Sequence, residues 1–259
     1  MSDDTAKEAL ARIPAWPPKS APRLFVDEDL SRCQSVRIDG NQAHYLSRVM
    51  RVGEGSVVIL CDDLTGEWMG KVREVAKRHV LLDVTEQLGP RETVPDLWLC
   101  PALLKKDRFD LVLEKATELG AERIQPVITR RCVADKLNLD RATTITIEAA
   151  EQCARTALPD LREPESLRAL LEHWPGDRRL FFADEEGGEP AYDAFRYSSG
   201  PVGLLIGPEG GFDTAEREAI RAHPAATPIS LGPRILRGET AAIAALSVWM
   251  ATSGDWDPQ

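Results

Sequence analysis

The stretch Leu204-Leu205-Ile206-Gly207-Pro208-Glu209-Gly210-Gly211-Phe212 reads as a short buried strand running straight into a glycine-rich loop. A helical pattern over 214–222 follows it, so the local order is strand, loop, helix. Gly207, Gly210 and Gly211 let the backbone take unusual dihedrals and come close to a ligand. Glu209 is the one charged side chain within Gly207–Gly211. Nothing here matches a phosphate cradle of the GxxxxGK[ST] kind, and no GxGxxG follows any strand. An ordinary tight turn stays an open alternative for this loop taken alone.

A second stretch repeats the arrangement. Ile229-Ser230-Leu231-Gly232-Pro233-Arg234-Ile235-Leu236-Arg237-Gly238-Glu239-Thr240-Ala241 leaves a strand and enters a helix over 239–252. Glu239 or Thr240 can serve the free N–H groups at that helix start, which is their ordinary structural role. Ala241, Ala242, Ala244 and Ala245 keep the helix slim enough to pack closely. Apolar Ile235 and Leu236 beside exposed main chain suit an adenine ring, whose edge amides can read.

Working outward, strands are expected over 97–104, 124–128, 180–183, 202–206 and 229–231. Helices are expected over 108–119, 142–157, 214–222 and 239–252. Alternation of this kind implies an α/β domain with a parallel sheet covered on both faces. Ligands in such sheets sit beyond the carboxyl ends of strands, which points to the loops after Ala183, Ile206 and Leu231. Before residue 89 the rhythm is different. Short strands over 23–26, 35–38, 57–60, 66–75 and 80–84 surround one helix over 42–52, the pattern of a small β-barrel or sandwich. The expected division is therefore a proline-rich flexible arm over 1–22, a β-domain over 23–88, a linker over 89–96 and an α/β domain over 97–259.

The whole chain of 259 residues is acidic, with a formal charge of −10. That argues against coating nucleic acid through a broad positive field. Charge is unevenly placed, however. Residues 101–155 are near balance, while 160–222 carry roughly twice as many acids as bases, so any nucleic-acid contact is expected to avoid that later face. Five scattered cysteines without a CxxC pair, and four histidines without ligand spacing, predict neither a disulfide framework nor a metal site. The first twenty residues lack the basic start and apolar run of a signal peptide, and no apolar stretch is long enough to span a bilayer. A cytoplasmic protein without membrane partners is the expectation.

Taken with further segments, the two loops resemble the ribosomal RNA small subunit methyltransferase E family, within the knotted SPOUT class of S-adenosyl-L-methionine-dependent RNA methyltransferases. The resemblance includes Arg23-Leu24-Phe25-Val26, His44-Tyr45-Leu46-Ser47-Arg48-Val49-Met50-Arg51 and Lys105-Lys106-Asp107-Arg108. It also includes Glu114-Lys115-Ala116-Thr117-Glu118-Leu119-Gly120 and Ile147-Glu148-Ala149-Ala150-Glu151-Gln152, in family order across about 23–252. Cys153-Ala154 departs from a frequent Ser-Gly pair, which bears on the helix near Arg155, and Gly238 departs from a common threonine, which bears on the tightness of the last loop.

The resemblance implies an N-terminal PUA-like β-barrel for RNA and a C-terminal α/β domain closed by a deep trefoil knot, paired as a homodimer through the knotted domains. It implies methylation of N3 of a uridine in 16S rRNA of the 30S subunit. The implied donor site comprises Ala183, Ile206, Gly207, Pro208, Glu209, Gly210, Leu231, Gly232, Ile235, Leu236, Arg237, Thr240 and Ala241. Catalytic candidates are Arg23, Arg237 and Glu239. RNA contacts are expected from Arg23, Arg48, Arg51, Lys105, Lys106, Arg108, Arg130 and Arg131, against the alternative that these charges are simply solvated. Two rival functions are a related enzyme acting on tRNA 2′-hydroxyls and a non-catalytic RNA-binding assembly factor.

Overall fold

The computed structural model describes residues 21–198 and 200–256. The arm expected over 1–22 lies almost entirely outside the described residues. The described residues form two compact units, divided after Glu92. Among the described residues no helix is long and apolar enough to cross a membrane.

The N-terminal unit is a five-stranded sheet. Its strands are β1 (Arg23–Phe25), β2 (Ser35–Asp39), β3 (Val57–Cys61), β4 (Glu67–Val75) and β5 (His79–Gly89), laid side by side in the order β1-β3-β4-β5-β2. β1 runs parallel to β3 and the other pairs are antiparallel. β2 alternates outward and inward residues, so Val36 and Ile38 join Leu24, Leu60 and Leu82 in one core. The helix expected over 42–52 is broken in two. α1 (Gly40–His44) runs into a single π-helical turn (Tyr45–Val49). Met50 N donates to Tyr45 O at 2.9 Å, and Arg51 then turns left-handed at φ 53°, which ends the helix early. Ala43 and Leu46 still reach the core.

The C-terminal unit is built on seven parallel strands. In chain order these are β6 (Leu97–Pro101), β7 (Arg123–Ile124), β9 (Asp160–Leu161), β11 (Arg179–Ala183), β12 (Glu189–Pro190), β13 (Val202–Ile206) and β14 (Ala226–Ser230). They lie in the order β12-β14-β11-β13-β6-β7-β9. The strand expected over 124–128 is two pieces, because Pro126 has no N–H to continue the ladder. Its second half, β8 (Val127–Ile128), pairs instead with β10 (Glu165–Ser166) in a separate two-stranded sheet.

Side-chain alternation sorts the covering helices. Leu97, Leu99, Phe181, Val202, Leu204 and Ile206 point to one face, against α2 (Lys106–Glu118), α3 (Leu139–Cys153), α5 (Ala191–Arg196) and α7 (Gly238–Thr252). Cys100, Leu180, Phe182 and Leu205 point to the other, against α4 (Leu167–Glu172) and α6 (Thr214–Ala222). α4 and α5 have no counterpart in the sequence expectation, since a six-residue helix is too short to show a helical period. α3 stops before the expected 157 because Ala154 adopts the left-handed conformation at φ 64°. Buried Arg155 then donates to Thr117 O at 2.8 Å and Ala121 O at 2.7 Å, satisfying one carbonyl in the last turn of α2 and one just beyond it.

Candidate functional site

Three loops meet at the carboxyl ends of β11, β13 and β14 around one cavity of about 330 Å³. Ala183, Ile206, Gly207, Pro208, Glu209, Leu231, Gly232, Ile235, Leu236 and Ala241 all line it. Gly210, Arg237 and Thr240, expected beside them, do not line it. Arg237 and Thr240 are exposed at the start of α7, and Gly210 turns toward Arg131.

Glycine is needed where the loops crowd. Gly211 has φ 67°, and a Cβ there would lie 2.6 Å from Glu185 Oε1. A Cβ on Gly238 would stand 2.9 Å from Leu104 Cδ2 and 3.3 Å from the Gly207 carbonyl oxygen, so the absence of a side chain brings α7 against the first loop. The departure at Gly238 thus tightens the contact between the two loops. Ile235 stands above the cavity with 92% of its surface exposed, an arrangement that leaves a large apolar side chain available to cover a ligand.

The start of α7 differs from expectation. The N-cap is Arg237, without a side-chain cap bond, and Glu239 is the second residue of the first turn. Glu239 is 9% exposed and its Oε2 has no hydrogen-bond partner, while Oε1 lies 3.8 Å from Arg108 Nε. Arg108 Nη1 also donates to Glu209 Oε1 at 3.3 Å. Arg130 Nη1 donates to Asp213 Oδ2 at 2.8 Å, and Arg131 Nη1 to the Gly210 carbonyl at 2.7 Å. Three of the expected RNA-contacting arginines are therefore tied to the glycine-rich loop and to the cap of α6. Lys105 and Lys106 are exposed.

The acidic loop after β11 was recognised in the sequence only through Ala183. Asp184, Glu185, Glu186 and Gly187 form a wall of the cavity. Arg217 and Arg221 of α6 hold them, with Arg217 Nη2 2.6 Å from Glu185 Oε1 and Arg221 Nη2 2.7 Å from the buried Asp184. Four carboxylates, counting Glu209, face two guanidiniums, Arg217 and Arg234, around this cavity. Arg217, Arg221 and Arg108 pair with all four, so the wall is a set of ion pairs.

In the N-terminal unit Arg23 is buried. Its guanidinium is bonded to Glu67 and lies 3.5 Å from Cys61 Sγ. Burial opposes its charge, but Cys61 and Glu67 outweigh that cost and hold its pKa above the usual arginine value. Arg48 and Arg51 are exposed on and just after the π-helical turn.

Comparison with known proteins agrees with both units. Residues 91–250 match the family described as RNA methyltransferase domain, and 38–85 match RNA methyltransferase PUA domain. The chain is 30% identical over 230 residues to ribosomal RNA small subunit methyltransferase E of Rickettsia conorii, covering 87% of this chain and 93% of that protein. The enzyme of the same name from Bacillus subtilis is 31% identical over 242 residues, covering 87% and 94%. In structure, the chain is similar to ribosomal RNA small subunit methyltransferase E of Neisseria gonorrhoeae bound to S-adenosyl methionine. That likeness has a TM-score of 0.82 at 29% identity and covers 92% of this chain and 100% of the other. Fold and site together define an RNA methyltransferase with a PUA domain. More narrowly, the chain belongs to the ribosomal RNA small subunit methyltransferase E family.

Proposed function

We propose that the protein methylates N3 of a uridine in 16S rRNA of the small ribosomal subunit, using S-adenosyl-L-methionine. The observation that carries this reading is the cavity joining the loops after β11, β13 and β14 in a chain of this family. Its residues fit the donor. Ile206, Leu231, Leu236 and Ala241 offer an apolar surface for adenine next to glycine backbone, and the loop over 184–187 supplies polar groups for the rest of the donor. The bound donor supplies a methyl group already activated for transfer.

The protein's task is then to orient the uracil and manage a proton. N3 lies on the pairing edge of the base, so the base must be unpaired or turned out of its helix. As N3 loses its proton, negative charge spreads onto the ring and its two carbonyl oxygens. Arg237, exposed in front of α7, stabilises that charge. Glu239, with a carboxylate oxygen free of hydrogen bonds, accepts the proton directly or through water. Lys105, Lys106, Arg108, Arg130 and Arg131 contact the RNA from one unit, and Arg48 and Arg51 from the other.

We further infer that the C-terminal unit is closed by a trefoil knot and that the five-stranded sheet curls into a barrel. We infer a homodimer paired through the knotted domains, working in the cytoplasm on rRNA within or destined for the 30S subunit. The family resemblance supports these statements. Mass-spectrometric mapping of 16S rRNA from cells with and without the gene tests the reading. One uridine should lose a methyl group on N3 in the deletion strain; an unchanged rRNA together with a methyl group lost from tRNA would overturn it.

A further inference from the structure

A second cavity, of about 340 Å³, lies in the C-terminal unit. Its floor is apolar: Leu103, Leu104, Phe109 and Ala142 are buried, and half-buried Ala134 and Leu137 line it too. Its charged lining is predominantly basic. Lys106, Lys136 and Arg141 face it against a single acid, Asp110, which is already bonded to Arg141. A local excess of positive charge stands out in a chain whose formal charge is −10. An apolar slot with a cationic rim has the chemistry to take a flat, weakly polar ring joined to a phosphate.

The two cavities share a thin wall. Leu104 lines the second, and its Cδ2 is 2.9 Å from where a Cβ on Gly238 would sit, while Gly238 lines the first. Leu104 and Gly238 thus stand between them. A base seated in the second cavity is walled off from the first, so it is not the base that receives the methyl group.

We propose that this second cavity binds an unpaired nucleotide of the RNA substrate that neighbours the modified one, with the base against Phe109 and Leu137 and the phosphate on Lys106 and Lys136. The inference rests on the reading of the protein as an RNA methyltransferase. It makes the cavity a determinant of which uridine is presented.

The probe is a small-subunit rRNA fragment carrying 5-bromouridine, cross-linked by ultraviolet light to the full-length protein. The expected result is a cross-link in the peptides containing Phe109 or Leu137. Filling the slot with Ala134→Phe should weaken binding of the fragment about tenfold and remove that cross-link, within the range a stacked base contributes. Lys136→Glu, at an exposed position that leaves packing untouched, should weaken it severalfold and flatten the salt dependence. Calorimetric affinity for S-adenosyl-L-methionine should stay at the wild-type value in both variants. Wild-type RNA binding by both variants overturns the proposal, as does a change in sedimentation showing that the slot is a contact between copies of this chain. A wild-type protein that cross-links as expected yet transfers no methyl group would sink the proposed function and leave this binding site standing.

Discussion

Arg108 and Glu239 lie at opposite ends of the C-terminal unit's sequence, yet Arg108 Nε is 3.8 Å from Glu239 Oε1 while its Nη1 holds Glu209 at 3.3 Å. One guanidinium thus tethers both cavity loops. Arg108→Ala leaves the 9%-exposed Glu239 without its cation. A third of the Arg108 side chain is exposed, so solvent screening reduces the loss below that of a fully buried pair. The expected cost is about 1–2 kcal/mol in urea denaturation, largely recovered in the double variant with Glu239→Gln. Equal stability of wild type and Arg108→Ala would show that the tether is idle.

Arg237 carries no comparable structural burden, being exposed with no cap bond from its side chain. Arg237→Ala should leave the melting temperature within about a degree, since exposed positions outside special features change stability by less than ~0.5 kcal/mol. Turnover should fall by roughly 10²–10³, the loss typical when one donor to a developing anion is removed. Single-turnover methylation of rRNA measures it, and near-normal rates would remove Arg237 from the mechanism.

Gly203 sits on β13, where a Cβ would stand 2.3 Å from the Trp174 ring. That ring cannot withdraw freely, because Trp174 Nε1 donates to the Arg178 carbonyl at 2.8 Å. Gly203→Ala should destabilise the protein by about 1–3 kcal/mol through overpacking. A thermal melt that matches wild type would show that the indole has room to move.

Glu122 has its pKa raised, first by burial and then by its neighbour Asp96. A carboxyl group whose folded pKa lies above its unfolded value binds its proton more tightly in the folded state. Stability therefore falls as pH rises from the ordinary glutamate value of about 4.5 through the raised value, and stays lower above it. Glu122→Gln should be more stable than wild type at pH 7, with the gap closing toward pH 4.5. Parallel melting-temperature profiles across that window would refute the assignment.

Charge reversal at exposed Lys105 and Lys106 should weaken binding of rRNA fragments. It should also reduce the slope of log affinity against log salt by about one per lost phosphate contact. A filter-binding titration at several salt concentrations reads this slope directly, and an unchanged value would return both lysines to the solvated surface.

The strands and helices of the C-terminal unit were legible where apolar periodicity was long, as at Val202–Ile206 and Thr214–Ala222. Short elements such as Leu167–Glu172 and Ala191–Arg196 were not, because fewer than two helical turns leave no usable period. The loops at Gly207 and Gly232 announced themselves through glycine and proline chemistry. The acidic wall at Asp184–Glu186 did not, since a run of carboxylates reads as solvated surface until Arg217 and Arg221 are seen to hold it. The π-helical turn at Tyr45–Val49 was equally hidden, its residues being ordinary helix formers.

By itself, the order of residues determined the alternation of strand and helix, the two glycine-rich loops and the family they belong to. Those are properties of local pattern, and local pattern is written along the chain. Only the tertiary structure decided that Arg108 joins Glu209 to Glu239, that Arg23 is buried against Glu67, and that Leu104 stands between two cavities. These contacts link residues far apart in sequence, and parallel strand order and helix packing fix which distant side chains meet.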